Sequence, residues 1–259
     1  MNGTAQILSY VLLSVSLLSK ADAMVFNEDD RIQVSTVPGS VYSPIGIAYG
    51  AKETKYATAT LVGRCYAVTS QHIFGKRESP LGKRLSFAGG LSTKFQYGSP
   101  GIVIAVGGME KFQGPGMGYQ ARARDWLLFR LDNCLGDILG TATLVGEVPD
   151  AISASRVSNA GFPTDHKPKG GLTVDPSCRI RTITPLVWLH DCGTYVGNSG
   201  GPVYRIVKNG SSSKLEVYAI ESGGWPKKGV YPYSLEYGNQ ATPASRILPY
   251  IKDILASQV

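Results

Sequence analysis

Short runs of apolar and β-branched residues recur in two groups along this chain. The first group comprises residues 45–49, 57–62, 65–69, 84–88, 102–106 and 126–131, and the second comprises residues 156–162, 179–189, 203–207, 215–220 and 230–235. The 31 glycines and 15 prolines among 259 residues favour many turns over long helices. Two groups of about six strands predict an all-β fold of two small antiparallel barrels or sandwiches, and we expect six-stranded barrels.

The spacing of these runs divides the chain into segments. We expect an extended N-terminal segment or short pro-segment at 24–43, a first barrel at 44–140, a crossover at 141–152 and a second barrel at 153–240. A C-terminal helix is expected at 241–259, with Thr242 as N-cap, Pro243 at the first helical position and a break or kink near Leu248 because of Pro249. Its apolar residues recur on one face, which predicts packing against the second barrel.

The first 23 residues resemble a secretory signal peptide. An apolar run at 7–18 precedes Ala21-Asp22-Ala23, which fits an A-x-A cleavage site, and the mature chain would then start at Met24. The region before the run has no Lys or Arg, and a membrane anchor is the competing interpretation. The run is too short to span a bilayer comfortably, so export to an extracellular or periplasmic space is expected, with no membrane insertion after signal removal.

Export makes the four cysteines candidates for two disulfides, with three connectivities open. We favour Cys178–Cys192, a short loop that ends just before a serine motif, and by elimination Cys65–Cys134. None of the four forms a C-x-x-C pair, which argues against zinc, and no cofactor or metal is expected.

The net charge of +7 is distributed in short clusters, such as Lys76-Arg77, Arg122 with Arg124, and Lys227-Lys228. There is no long basic run with interleaved aromatic residues, so a nucleic-acid groove is not expected, and these clusters are interpreted as solvated surface. We expect a monomer. Asn209-Gly210-Ser211 is a glycosylation sequon in a eukaryotic host.

Residues 197–202, Gly-Asn-Ser-Gly-Gly-Pro, place a serine between glycines whose backbone N–H groups could hold an oxyanion. A G-x-S-x-G pattern also fits the nucleophile elbow of α/β-hydrolases or an ordinary glycine turn. The elbow requires its histidine after the serine, whereas His72, His166 and His190 all precede Ser199. The elbow is therefore excluded, and the order histidine, aspartate, serine remains.

A serine nucleophile needs an imidazole base, which in turn needs a carboxylate to fix its tautomer. His72 follows a β-branched run and ends it in a small-residue turn, whereas His190 is close to Ser199 in sequence and His166 lies in a polar turn. Asp125 opens an apolar strand, where a buried carboxylate needs a donor. Local context favours His72 and Asp125, while a structural histidine and a strand-capping aspartate remain open.

Three blocks, residues 69–72 (TSQH), 125–128 (DWLL) and 197–202 (GNSGGP), resemble the signature blocks of trypsin-like serine peptidases. The resemblance covers nearly all of the mature chain and is closest to the bacterial glutamyl endopeptidase (V8-like) branch. Residues 30–34, 161–165 and 220–224 resemble that branch's N-terminal segment, Gly-Tyr-Pro block and substrate-binding strand. The resemblance implies a chymotrypsin-like fold and a secreted serine endopeptidase with His72, Asp125 and Ser199 as catalytic residues and the N–H groups of Gly197 and Ser199 as the oxyanion hole.

The specificity pocket departs from these relatives. The position of trypsin's pocket-base aspartate is Gly193, and Asn198 replaces the aspartate that pairs with trypsin's new N-terminus, so activation in that manner is not expected. Thr194 matches the threonine that reads glutamate in the glutamyl branch, but Glu221 stands where that branch has a histidine. A carboxylate there would attract Arg or Lys, and a basic P1 preference is therefore our hypothesis.

The alternative for the pocket is that Glu221 pairs with a local cation and that the specificity, including glutamyl specificity, is set otherwise. Ser222, Gly223 and Gly224 are expected to pair with the substrate backbone as an added strand, although the glycines could equally mark a bulge. For the whole chain, the competing functions are a catalytically inactive peptidase homologue that acts as a binding protein, and an esterase with the same triad.

Overall fold

The computed structural model describes residues 24–50, 56–74, 79–90, 96–108, 118–147, 152, 156–165, 171–224 and 230–257. The predicted signal peptide at 1–23, His166 and the pairs Lys76-Arg77 and Lys227-Lys228 lie outside these residues, as does the side chain of Asn209. Within the described part, no helix is long and apolar enough to cross a membrane. No three His, Cys, Asp or Glu side chains of that part are grouped to hold a metal ion.

The first barrel follows two short N-terminal strands, β1 (Val25–Phe26) and β2 (Ile32–Val34). Its six strands are β3 (Ile45–Gly50), β4 (Tyr56–Gly63), β5 (Tyr66–Thr69), β6 (Arg84–Gly89), β7 (Tyr97–Val106) and β8 (Leu127–Leu131). They pair antiparallel in the order β3-β4-β5-β8-β7-β6, and β6 pairs with β3 to close the barrel. The six expected strands are therefore present, most of them with slightly different bounds.

Apolar side chains fill this first barrel. Its core includes Leu61, Phe87, Val103, Leu127 and Phe129, each at most 1% exposed. These residues come from the runs that the sequence marks as strands, and burial of one such side chain contributes about 1.5–3 kcal/mol relative to exposure. A shift of one residue would turn these side chains out of the core, so their burial fixes the strand register.

Between β7 and β8 the chain forms α1 (Tyr119–Arg122), and between the barrels it forms α2 (Gly136–Leu139) and β9 (Thr143–Leu144). The second barrel contains β10 (Arg156–Gly161), β11 (Leu172–Ile183), β12 (Trp188–His190), β13 (Pro202–Asn209), β14 (Ser212–Gly223) and β16 (Asn239–Pro243), while β15 (Val230–Tyr231) lies outside it. The antiparallel order is β10-β13-β14-β16-β12-β11, closed by β10 against β11. Strands β2 and β9 add to β11 and β14 at its margins.

The second barrel differs from the sequence expectation in three places. The run at 179–189 is split between β11 and β12 by a turn at Thr184 to Val187, where the Thr184 hydroxyl donates to the Val187 carbonyl. The run at 230–235 supplies β15, which pairs with β1 rather than with the barrel. The sixth barrel strand is β16, which extends beyond the expected end of the barrel at residue 240. All of its residues are buried, although several of them are polar.

The C-terminal helix α3 spans Ala244–Ala256 and continues through Pro249 without the expected break. Thr242 is not its N-cap, because that residue belongs to β16 and its hydroxyl donates to the Arg122 carbonyl. Pro243 occupies the N-cap position instead. Ile247 and Ile251 are fully buried in a core shared with Leu215 and Val217 of β14, so the helix packs against the second barrel as expected.

Both favoured disulfides are present. Cys65–Cys134 ties the turn between β4 and β5 of the first barrel to the segment before α2, and Cys178–Cys192 joins β11 to the residues after β12. No free cysteine remains in the chain. The second bridge ends at Cys192, on the segment that leads into the loop carrying Ser199, and it therefore anchors the approach to that loop.

Candidate active site

His72, Asp125 and Ser199 come from three separate turns and meet in one place. His72 lies in a turn of 3₁₀ helix, Gln71–Phe74, directly after β5, Asp125 precedes β8, and Ser199 lies in the turn before β13. His72 Nε2 is 2.9 Å from Ser199 Oγ, and His72 Nδ1 is 2.7 Å from Asp125 Oδ2. The residues that the sequence proposed as nucleophile, base and orienting carboxylate are therefore within hydrogen-bond distance of one another.

Asp125 fixes both the position and the tautomer of His72. Its carboxylate is fully buried, and its Oδ1 accepts the backbone N–H of His72 at 2.9 Å while Oδ2 faces Nδ1. A proton held on Nδ1 by this carboxylate leaves Nε2 as the acceptor toward the serine hydroxyl. The His72 side chain is 12% exposed, so it remains reachable from solvent.

The backbone around Ser199 is shaped for an anion. Gly197 has φ +106°, a conformation that disfavours any side chain, and a Cβ there would collide with the Phe162 carbonyl. In the described part of the chain, no protein acceptor takes the N–H of Gly197 or of Ser199. Free N–H donors beside a serine hydroxyl are what an oxyanion hole requires, and the assignment of this role to Gly197 and Ser199 stays a prediction.

Thr58 of β4 holds this loop from the first barrel, a role that the sequence did not reveal. Its N–H donates to the carbonyls of Gly197 and Ser199 at 3.1 and 2.9 Å, and its hydroxyl donates to Gly197 O at 2.7 Å. The same hydroxyl accepts the N–H of Phe162 at 3.0 Å. Thr58 looks like any other residue in an alternating Ala-Thr strand, because its partners lie far along the chain.

Asn198 is buried and points away from the N-terminal segment. Its amide donates to Asn159 Oδ1 at 3.1 Å. The Met24 backbone N–H instead donates to Asn239 Oδ1 at 3.1 Å, and the Met24 carbonyl accepts the N–H of Thr194. The N-terminal segment thus docks on the strand β16 and the Thr194 loop, and Asn198 makes no ion pair with it.

The predicted pocket residues surround a buried polar region of the second barrel. Gly193 donates its N–H to Asp175 Oδ2 at 2.6 Å, and a Cβ on Gly193 would lie 3.4 Å from the methylene carbons of Arg31. Arg31 itself is buried and pairs with Asp29 and Asp165, with atom separations of 2.7 and 2.8 Å. Gly193, which stands where trypsin has its specificity aspartate, is therefore bordered by the aliphatic part of the Arg31 side chain and by the Asp175 carboxylate, which already accepts hydrogen bonds.

Burial shifts the pKa values of this region. Desolvation raises the pKa of Asp175 above its ordinary value, although the N–H groups of Gly193 and Ser177 oppose the change. For Arg31, burial lowers the pKa, but the hydrogen bonds and charges of Asp29 and Asp165 outweigh it and the net shift of the pKa is upward. Arg31 therefore remains a cation that is neutralised by its own aspartates.

Glu221 and His190 form a buried pair in the second barrel. Glu221 Oε2 lies 2.9 Å from His190 Nε2, and both side chains are at most 1% exposed. The two atoms are close without being aligned as a hydrogen bond, so the contact is electrostatic. The other oxygen, Oε1, accepts the N–H of Gly223 at 2.9 Å. Among the described residues, the Thr194 hydroxyl has no partner.

Arg122 is a third charge in this buried region. The sequence interpretation placed it in a solvated cluster with Arg124, and this is wrong for Arg122, which is 6% exposed at the end of α1, whereas Arg124 is exposed. Burial lowers the pKa of Arg122, and the charges of Asp125 and Glu221 oppose that shift. Glu221 therefore contacts His190, and its charge acts on Arg122 as well, while the basic P1 preference stays a prediction.

Ser222, Gly223 and Gly224 follow the point where β14 leaves its partner β13. On the side of β13, the hydrogen bonds of β14 end at Glu221, whose carbonyl accepts the Gly200 N–H. Beyond Glu221, β14 still pairs with β16, where Gly223 is opposite Gln240. Gly223 has φ +113°, and the register shifts between Glu221 and Gly223. The expected bulge is therefore present, and the pairing of these residues with a substrate backbone stays a prediction.

No protein-family model and no curated protein sequence matches this chain. Solved structures do match. A Glu endopeptidase in complex with MPD has a TM-score of 0.66 and 16% sequence identity, over 90% of this chain and 100% of that one. The protease Anisep from Arthrobacter nicotinovorans has a TM-score of 0.57 and 15% identity, over 87% of this chain and 99% of that one.

The protein has the chymotrypsin-like fold. Its two closed six-stranded barrels and C-terminal helix form this architecture, and both solved structures superpose on most of the chain. At these identities the likeness establishes the fold, and the chemistry rests on the residues described above.

Proposed function

We propose that this protein is an exported serine peptidase that hydrolyses peptide bonds through an acyl-enzyme. The observation that carries the proposal is the pair of distances from His72, 2.9 Å to Ser199 Oγ and 2.7 Å to Asp125 Oδ2. Ser199 Oγ attacks the substrate carbonyl while His72 Nε2 accepts the hydroxyl proton. Asp125 stabilises the imidazolium, and His72 then protonates the leaving amine.

The N–H groups of Gly197 and Ser199 would hold the negative oxygen of the tetrahedral intermediate. Loss of one such donor typically costs about 10²–10³ in kcat, because the donor is pre-oriented where charge develops. In the second half of the reaction, water attacks the acyl-enzyme with His72 as base. A peptide or protein substrate would bind along residues 222–224 as an added strand, which orients its scissile bond toward Ser199.

Export is part of the proposal. The A-x-A sequence before Met24 and the two disulfides both fit an oxidising compartment, since disulfides persist outside the cytosol. We propose that the mature chain acts as a monomer without a metal or another cofactor.

For the P1 residue, we propose a side chain that carries an acceptor oxygen, with glutamate first, in place of the basic residue inferred from sequence. Glu221 is engaged by His190 and by the Gly223 N–H, while the buried Thr194 hydroxyl lacks a partner among the described residues. An acceptor on the substrate would satisfy that hydroxyl, and an unsatisfied buried group is costly. Peptides that differ only at P1 (Glu, Arg or Phe) test this. Fastest turnover of P1-Arg would restore the basic preference, and fastest turnover of P1-Phe would contradict both.

The activity itself is tested on the mature chain with a fluorophosphonate probe and with casein. Labelling and cleavage are expected for the wild type and lost in Ser199→Ala, whereas the matched control Ser158→Ala, which changes a serine bonded to the Pro176 carbonyl, should keep both. Labelling with ester hydrolysis but no peptide cleavage would indicate an esterase. No labelling of a folded chain would indicate a peptidase homologue that acts by binding.

A further inference from the structure

Asp125 carries a buried charge whose hydrogen bonds, in the part of the chain that the structure describes, come from one residue. Both donors, the backbone N–H and Nδ1, belong to His72. Ser222, on the neighbouring β14, directs its hydroxyl to the Gln240 carbonyl at 3.1 Å rather than to Asp125. A fully buried carboxylate whose donors come from one residue is stabilised by a further source of positive potential nearby.

Hydrogen bonds to its backbone carbonyl hold Arg122 close to Asp125 and β14. Its carbonyl accepts the Thr242 hydroxyl at 2.6 Å and the Asp125 N–H at 3.2 Å, which ties the end of α1 to β16 and to the start of β8. Its side chain reaches β14, where a Cβ added to Gly223 would lie 2.5 Å from Arg122 Nη1. The guanidinium therefore packs directly on the Gly223 backbone, and a side chain at that position would displace it.

Two nitrogens of the Arg122 guanidinium lack an acceptor. Within the described part of the chain, Nε and Nη1 are buried without a hydrogen-bond partner. An isolated buried cation would be strongly unfavourable, so opposite charges must compensate it. Asp125 lies three residues along the chain, and Glu221 accepts the N–H of Gly223, on which the guanidinium packs. The charges of these two carboxylates, Asp125 and Glu221, act on the Arg122 guanidinium.

We propose that Arg122 is a positioning residue of the acyl-transfer reaction, whose buried charge balances Asp125 and Glu221 and sets the pH at which His72 takes up a proton. The inference rests on the proposed function for its meaning in catalysis. The charges of Asp125 and Glu221 act on Arg122, His72 contacts Asp125, and His190 contacts Glu221.

The net charge of Arg122, Asp125 and Glu221 predicts the direction in which the titration midpoint of His72 moves. With both imidazoles neutral, Arg122, Asp125 and Glu221 sum to −1, and proton uptake by His72 brings the cluster to zero, which stabilises the imidazolium formed during acyl transfer. Removal of the Arg122 charge leaves −2, so protonation of His72 becomes more favourable and its titration midpoint moves to higher pH. Removal of the Glu221 charge moves it to lower pH.

The test is an NMR titration of the His72 imidazole in the mature chain, assigned with His72→Gln. Arg122→Gln is expected to raise the midpoint by about 0.5–1 pH unit, and Arg122→Lys, which keeps the charge, is expected to restore the wild-type value. Thr242→Val is the matched control, since it loosens the same helix end without removing charge, and its midpoint should not move even where its melting temperature falls.

An unchanged midpoint in folded Arg122→Gln, or an equal shift in Arg122→Lys, overturns the inference. If Arg122→Gln does not fold, Glu221→Gln is decisive: a lower midpoint supports the inference and an unchanged one overturns it. The pH dependence of fluorophosphonate labelling gives a separate readout. The pH at which labelling falls off on the acid side should shift with the titration midpoint of His72. A midpoint that shifts in a chain that is never labelled would contradict the proposed function and leave the charge balance standing.

Discussion

The two barrels have the same number of strands but differ in what they bury. The strands of the first barrel bury no ionisable side chain among the described residues, and their core is apolar. The strands of the second barrel bury Asp175, His190 and Glu221. The first barrel supplies His72 and Asp125 at its rim, whereas the second supplies the Ser199 loop and the pocket.

This difference indicates that the first barrel is mainly a scaffold and that the second barrel provides the buried polar groups proposed to take part in substrate recognition. An apolar barrel is stable over a wide pH range and holds the base and its carboxylate in register. Buried polar groups are costly unless they are paired, and they are retained where they contact a ligand or another polar group. The comparison can therefore be tested by changes that affect one barrel and spare the other.

The largest expected effects on stability come from the disulfides. Cys65–Cys134 closes a loop with a sequence separation of 69, and Cys178–Cys192 one of 14. In the chain-entropy model, their replacement by serine pairs costs about 4 and about 3 kcal/mol respectively. Urea unfolding measures both. We expect only the second replacement to lower kcat/KM of the folded enzyme strongly, because Cys192 adjoins Gly193. An equal activity loss in both would contradict the division between barrels.

The Thr58 clamp joins the barrels, and its loss should impair activity more than stability. Thr58→Val preserves shape and removes the hydroxyl bonds to Gly197 O and from Phe162 N. The oxyanion loop would then be less well fixed, and we expect kcat/KM to fall about 10- to 100-fold, as for the loss of one or two buried hydrogen bonds. Thr58→Ser is the control and should retain most activity. Full activity in the valine variant would show that the loop is held without this clamp.

The polar second barrel should respond to pH through Asp175. Because burial raises its pKa in the folded protein, folded Asp175 binds a proton more tightly than unfolded Asp175. Its contribution to the free energy of unfolding is therefore highest at low pH and is lost as pH rises from the unfolded pKa through the raised folded one. Asp175→Asn removes this loss, so its stability relative to the wild type should increase as pH rises from about 3.5 to about 7, as measured by urea unfolding. The opposite trend would mean that the hydrogen bonds from Gly193 and Ser177 dominate.

The smallest effect is expected at the surface of the first barrel. Arg64 and Asp137 form an ion pair with atom separations of 2.8 and 2.9 Å, but both side chains are largely exposed. Water and salt screen such pairs, so Arg64→Ala should leave the melting temperature within experimental error. A clear loss would indicate that the pair supports the neighbouring Cys65–Cys134 bridge.

The sequence predicted the first barrel better than the second for a physical reason. Strands β3 to β8 are formed from apolar and β-branched runs that end up in the core, so local pattern and tertiary burial agree. Strand β16 reads Asn-Gln-Ala-Thr-Pro and looks like the start of a helix, yet it is buried between β14 and β12. Asn239 and Thr242 of this strand bond to distant groups, such as the Met24 and Cys192 carbonyls that accept from Asn239 and the Arg122 carbonyl that accepts from Thr242.

By itself, the sequence pattern determined an all-β plan of two similar units and a C-terminal helix, because both depend on local pattern, and it favoured the two cysteine pairs that the structure contains. The choice of His72, Asp125 and Ser199 needed the resemblance to trypsin-like peptidases in addition to chain order and local context. Only the tertiary structure decided that Thr58 bonds to the loop that carries Ser199, that Glu221 contacts His190 and that Arg122 is buried. These are contacts between residues far apart in the chain. Whether a charged side chain is solvated or buried, and which charge balances it, depends on packing that no short stretch of sequence encodes.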